Sequence, residues 1–156
     1  MSDFSDVGAF TRHFGLGNVD GPPTDADPET RELRLRFLLS EVREYAEANG
    51  YDLAYTLIPA PASQQPNIYL PHVARELIDI VYVALGTAHL HRLPWSRIFR
   101  SVHRANMAKT RGLHAPDDEK LGVMKPPGWQ PPDILRVLTA AGWLGPEDPR
   151  WMCNEL

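Results

Sequence analysis

The stretch from Pro71 or His72 to about His91 constrains the chain most, because it reads as one helix that is apolar on most faces yet carries two carboxylates. Leu77, Ile80, Val81 and Val83 surround Glu76 and Asp79. A helix apolar nearly all round belongs inside a bundle. This one is therefore expected to be the central, most buried helix, with Gly86 letting another helix approach closely. At spacing i, i+3 the two acids leave one helix face about a turn apart. Buried carboxylates must be paired or must bind a metal.

A second couplet has the same spacing. Glu41 and Glu44 lie in LLSEVREYAEA among Leu38, Leu39, Val42 and Tyr45, within a helix expected from about Pro28 to Asn49. Asp27 can cap that helix with Pro28 at its first position, Leu35, Leu38, Leu39, Val42 and Ala46 supply its stripe, and Asn49-Gly50 ends it. Glu32 and Glu47 read as surface charges. One such couplet commonly marks a solvated face, but two in the two most hydrophobic helices point to a four-carboxylate metal site. Hard oxygen donors with no supporting cysteine or histidine favour Mg²⁺ or Mn²⁺ over Zn²⁺.

The rest of the chain also reads as helices and loops. Residues 4–15 form a short helix with Phe10 and Phe14 at i, i+4 and Gly15 as its stop, and residues 17–28 form an extended loop. Residues 51–70 are a proline-rich insertion placed to cover the site. Pro94 opens a helix through about Lys109, whose apolar positions are Trp95, Ile98, Phe99, Val102 and Met107. Arg97, Arg100 and Arg104 are left for solvent or ligands. The loop from Thr110 to Pro132 is expected to be ordered around Trp129, and a last helix spans about Pro132 to Ala141. The tail, 142–156, carries two tryptophans suited to docking onto the domain or a neighbouring subunit. With no period-2 pattern and no repeat, the expected fold is all-α, a four-to-five-helix bundle forming one domain over 1–156 with its core at about 8–138.

A net charge of -4 argues against general affinity for nucleic acid or anionic membrane. A small anion can still be held by a local cluster. In HRANMAKTRG, Asn106 and Lys109 share a face with Arg104 and Arg111 nearby. Such cations are ordinary in the last turn of a helix, but beside an acidic metal cluster they can hold phosphate oxygens. Lys125, next to a rigid proline loop, is a second candidate for phosphate contact. The histidines make no site of their own, since His89 and His91 stand at i, i+2 and His103 lacks an acidic partner. The absence of Glu-x-x-His argues against a di-iron bundle, and neither a phosphate-binding lysine loop nor a dinucleotide glycine fingerprint is present. The lone Cys153 supports no disulfide framework and fits a reducing cytoplasm. The start MSDFSDVGAF lacks the features of a signal peptide, and Leu77–Leu90 is shorter than the roughly 20 residues needed to span a bilayer.

EVRE (Glu41, Glu44) followed by ELID (Glu76, Asp79), then DIVYVALGTA, VHRANMAK and KPPGWQPPDI, resembles the all-α nucleoside triphosphate pyrophosphohydrolases. That superfamily includes MazG-like proteins and phosphoribosyl-ATP pyrophosphohydrolase. The resemblance covers roughly residues 8–138. It departs in the longer interval between Glu44 and Glu76, and in Ser40 where many relatives carry a second adjacent glutamate. The resemblance implies hydrolysis between the α- and β-phosphates of a nucleotide, giving a monophosphate and pyrophosphate. Glu41, Glu44, Glu76 and Asp79 would hold two or three Mg²⁺ ions, with Mn²⁺ able to substitute. Glu41 or Glu44 would orient the attacking water. Asn106 and Lys109, with Lys125 and Arg104, would engage the phosphates. Phe14 and Trp129 are candidates to stack on the base. The expected substrates are dGTP, dUTP or dCTP. The alternatives are phosphoribosyl-ATP, or a non-catalytic nucleotide-binding helical dimer. A homodimer or homotetramer is expected, as is typical of the superfamily.

Overall fold

Helix α1 (Asp3–Phe14) starts at a reciprocal cap: the Ser2 hydroxyl accepts from the Ser5 amide at 3.3 Å and the Ser5 hydroxyl accepts from the Ser2 amide at 3.0 Å. It stops at Gly15, whose φ of 59° is left-handed. A Cβ at that position would lie 2.7 Å from the tip of the Arg111 side chain, which can move aside, so it is the left-handed backbone that favours glycine there. The computed structural model describes residues 2–16, 20–58, 70–111 and 123–143.

Helix α2 (Pro28–Ala48) begins as its sequence indicates, with Pro28 in the first turn and the Asp27 carboxylate accepting from the Thr30 amide at 2.9 Å. Gly50, at φ 80°, follows its end. Helix α3 spans Leu70–Leu90, α4 spans Trp95–Met107 and α5 spans Ile134–Thr139. Every expected helix is present, and the fold is all-α. The expected absence of strands needs one correction. Strand β1 (Thr110–Arg111) pairs antiparallel with β2 (Val123–Met124), with Thr110 opposite Met124. Two-residue strands are too short to show alternation in a sequence.

The packed half of the molecule centres on α4. Its Ser101 and Ala105 are buried, small residues on the side that meets the last helix. α1 packs on α4, and α4 on α5. The Trp95 indole donates to the Asp3 carboxylate at 2.7 Å, which ties the two helix starts together. Phe14, 3% exposed, is the most buried apolar residue described. Its ring lies against Phe10 and His13, with centroids 4.7 and 4.6 Å away.

Helix α3 departs from its expected burial. Only Ala88 is buried along its length, while Tyr82 is 77% and Leu90 84% exposed. A Cβ on Gly86 would meet nothing within 4 Å. The reason is the supply of partners: the described helices pack chiefly on α4, so the apolar surface of α3 faces outward. Among the described residues no helix is long and apolar enough to cross a membrane.

Candidate active site

Helical geometry delivers each couplet as expected, two carboxylates a turn apart on α2 and two on α3. All four residues, Glu41, Glu44, Glu76 and Asp79, are exposed. Glu76 and Asp79 share a face with Val83, which is 68% exposed, and with Leu90. Arg75 engages Glu76 through Nε at 2.9 Å. Within one chain the two couplets remain apart: no group of three or more His, Cys, Asp or Glu side chains suited to a metal is gathered among the described residues. The donor chemistry fits a hard divalent cation, since each couplet offers carboxylate oxygens and nothing softer.

The cations gather elsewhere. Trp129, in the loop after β2, donates its indole N–H to the Ala105 carbonyl at 2.8 Å and so fixes the loop on α4. The Lys125 ammonium lies 4.8 Å from the Trp129 ring centroid and that of Lys109 lies 5.9 Å away, both within cation–π reach. One tryptophan thereby positions two lysines that are 16 residues apart in sequence (125 - 109). Lys125 lies over the ring of Trp129, one of the two candidates for base stacking. Phe14, the other aromatic candidate for base stacking, is a core residue.

Asn106 and Arg104 stand on different sides of α4. Asn106 lines a cavity of about 220 Å³ with Phe10 and Thr11 of α1, Arg34 of α2, and Phe99 and His103 of α4. Arg104 lines a larger groove of about 880 Å³ between α4 and the Trp129 loop with α5. Residues two apart on a helix do not share a face, so this division was available from spacing. Arg136 of α5 also lines that groove. Sequence reading passes over it, because nothing local sets it apart from a surface charge.

The order of an E-x-x-E helix and an E-x-x-D helix in an all-α chain is that of the all-α nucleotide pyrophosphohydrolases. Within that superfamily the family model described as phosphoribosyl-ATP pyrophosphohydrolase matches residues 7–106, and the chain belongs to this family. The matched span runs from the second turn of α1 almost to the end of α4 and contains both couplets. It stops short of β1, the Trp129 loop and α5. No curated protein and no solved structure matches the chain. The protein is a hydrolase of nucleotide phosphoanhydride bonds.

Proposed function

We propose that the protein is a Mg²⁺-dependent nucleoside triphosphate pyrophosphohydrolase acting on deoxynucleotides, with dGTP, dUTP and dCTP as candidate substrates, releasing the monophosphate and pyrophosphate. The observation that carries the reading is the position of both couplets inside the family span 7–106, exposed on helices that the packed half of the chain leaves free. A second copy laid against the outward apolar surface of α3 would cover Ile80, Val83 and Leu90, which are 42%, 68% and 84% exposed. It would enclose Glu76 and Asp79 on the same face. We therefore include a homodimer or dimer of dimers in the proposal.

Glu41, Glu44, Glu76 and Asp79 would hold the metal. Bound divalent ions supply neutralisation of phosphate charge and a water of lowered pKa. The protein's own groups do the rest. A carboxylate of Glu41 or Glu44 accepts a hydrogen bond from the attacking water and aligns it with the α–β bridge. Lys109 and Lys125, held on Trp129, and Asn106 bind phosphate oxygens and the charge that develops on the departing pyrophosphate.

The second reading is phosphoribosyl-ATP hydrolysis, favoured by the description of the matching family. Incubation with Mg²⁺ and each of dGTP, dUTP, dCTP and phosphoribosyl-ATP, with products separated by ion exchange, tests both. Monophosphate plus pyrophosphate from a deoxynucleotide is expected. Preferred turnover of phosphoribosyl-ATP moves the protein to the second reading. Orthophosphate release, or no turnover of any of the four, rejects the proposal.

A further inference from the structure

The groove between α4 and the Trp129 loop with α5 gathers Arg97, Arg100 and Arg104 from one face of α4, at i, i+3 and i+7, and Arg136 from α5. All four side chains are exposed, and none forms an ion pair with a carboxylate among the described residues. Arg100 donates through Nε to the Ser96 carbonyl at 3.0 Å, which steadies its guanidinium. Asp133 is the one acid in the lining, and its carboxylate is occupied by the Arg136 backbone N–H at 2.9 Å, where it caps α5. In a chain of net charge -4, four of the 16 basic residues thus face one concavity that holds a single carboxylate, Asp133, with which none of them forms an ion pair. Like charges held together this way repel unless an anion joins them.

The walls restrict the anion further. Pro126, Pro127, Pro131 and Pro132 form a rigid rim, and Trp129 is fixed by its bond to Ala105. At about 880 Å³ the groove is large enough for several linked phosphates, alone or carried on a nucleoside. Guanidinium forks bind phosphate oxygens in pairs, which suits a chain of phosphates over a single carboxylate. None of Glu41, Glu44, Glu76 and Asp79 lines it. We propose that this groove is an oligophosphate-binding site distinct from the acidic couplets, able to load without divalent metal, with Arg97, Arg100 and Arg136 as its contacts beside Arg104.

The test is calorimetric titration of the full chain in EDTA, with tripolyphosphate in one arm and dGTP in the other. Binding is expected in at least one arm. It should weaken by at least about tenfold in the double variant Arg97→Glu, Arg136→Glu, and fall steeply with added salt. Tripolyphosphate binding as tightly as dGTP identifies the free oligophosphate as the ligand, and tighter binding of dGTP identifies a nucleotide-borne one. Binding in neither arm, or affinity undiminished in the double variant, overturns the site. The milder variant Arg136→Gln, with circular dichroism beside it, separates loss of binding from loss of fold. The test also uncouples this inference from the proposed reaction, since Glu76→Gln should leave metal-free binding intact. Loss of metal-free binding in Glu76→Gln would assign the phosphates to the acidic couplets and overturn the separate site.

Discussion

The two halves of this molecule solve opposite problems. Around α4, side chains meet across elements of one chain: Trp95 reaches Asp3 and Trp129 reaches Ala105. Along α2 and α3 the helices are equally well formed, yet Val42, Leu77, Ile78 and Tyr82 remain exposed. The first half is held by tertiary contacts, whereas the second is specified by local ones and leaves its apolar surface for something else to cover. Chemistry divides the same way. The two acidic couplets lie on α2 and α3, and the arginine groove lies between α4 and the Trp129 loop with α5.

The sharpest way to break that division is to remove one carboxylate. Glu76→Gln is nearly isosteric and exposed, so the helix should persist, while pyrophosphate release should fall by more than about a hundredfold. A pyrophosphate-coupled assay with circular dichroism on the same sample reads both. Retained turnover would detach the couplets from the reaction and leave α4 as the only functional half.

Next in size is the effect of charge on the open face. Val83→Glu places a carboxylate on the exposed stripe of α3, and if a second copy covers that stripe the variant should sediment as a monomer with little activity. Wild-type protein that sediments as a monomer at micromolar concentration would show that nothing of its own kind covers α3. The packed half offers the contrast. Phe14→Ala removes its most buried ring and should cost about 3–5 kcal/mol of unfolding free energy. That loss should be the same at every protein concentration, because Phe14 is covered by its own chain. The cost of Val83→Glu should instead vary with concentration, as it does for any interface.

This contrast also sets how much the sequence disclosed. Helix ends were legible because their causes are local: Asp27 and Pro28 open α2, Gly15 closes α1, and Gly50 follows α2. The couplets were legible because i, i+3 spacing on a helix needs no tertiary information. Burial was not legible for α3, since an apolar helix states only that it needs a cover and not which chain supplies it. The arginine groove escaped for a related reason. Arg97, Arg100 and Arg104 show their common face in their spacing, but Arg136 joins them only when Trp129 folds the loop back onto Ala105, 24 residues away in sequence. Residues 59–69 of the insertion expected at 51–70, and residues 144–156 of the tail expected at 142–156, including Trp151 and Cys153, lie outside the described residues.

The smallest expected effect separates local from tertiary support within α2 itself. The Thr30 hydroxyl, and then the Thr30 amide, hold the Asp27 carboxyl below its ordinary value. A carboxyl with a depressed folded pKa binds its proton less readily in the native state than in the unfolded chain. Its stabilising effect is therefore complete above the unfolded value of about 4 and is lost as pH falls through the lower, folded value. Asp27→Asn keeps a side-chain acceptor for the cap but cannot titrate there. Melting temperatures of the two proteins, measured from neutral pH downward, should converge in the acid range, with the wild type losing its advantage first where Asp27 takes up its proton. The Arg12–Asp20 pair, which likewise lowers the Asp20 carboxyl, is exposed and should respond to salt. Adding salt therefore distinguishes its contribution from that of the cap. Parallel melting curves for wild type and Asp27→Asn across the whole range would mean that α2 does not depend on its own first turn, and that tertiary contacts reach further into the open half than its exposed side chains indicate.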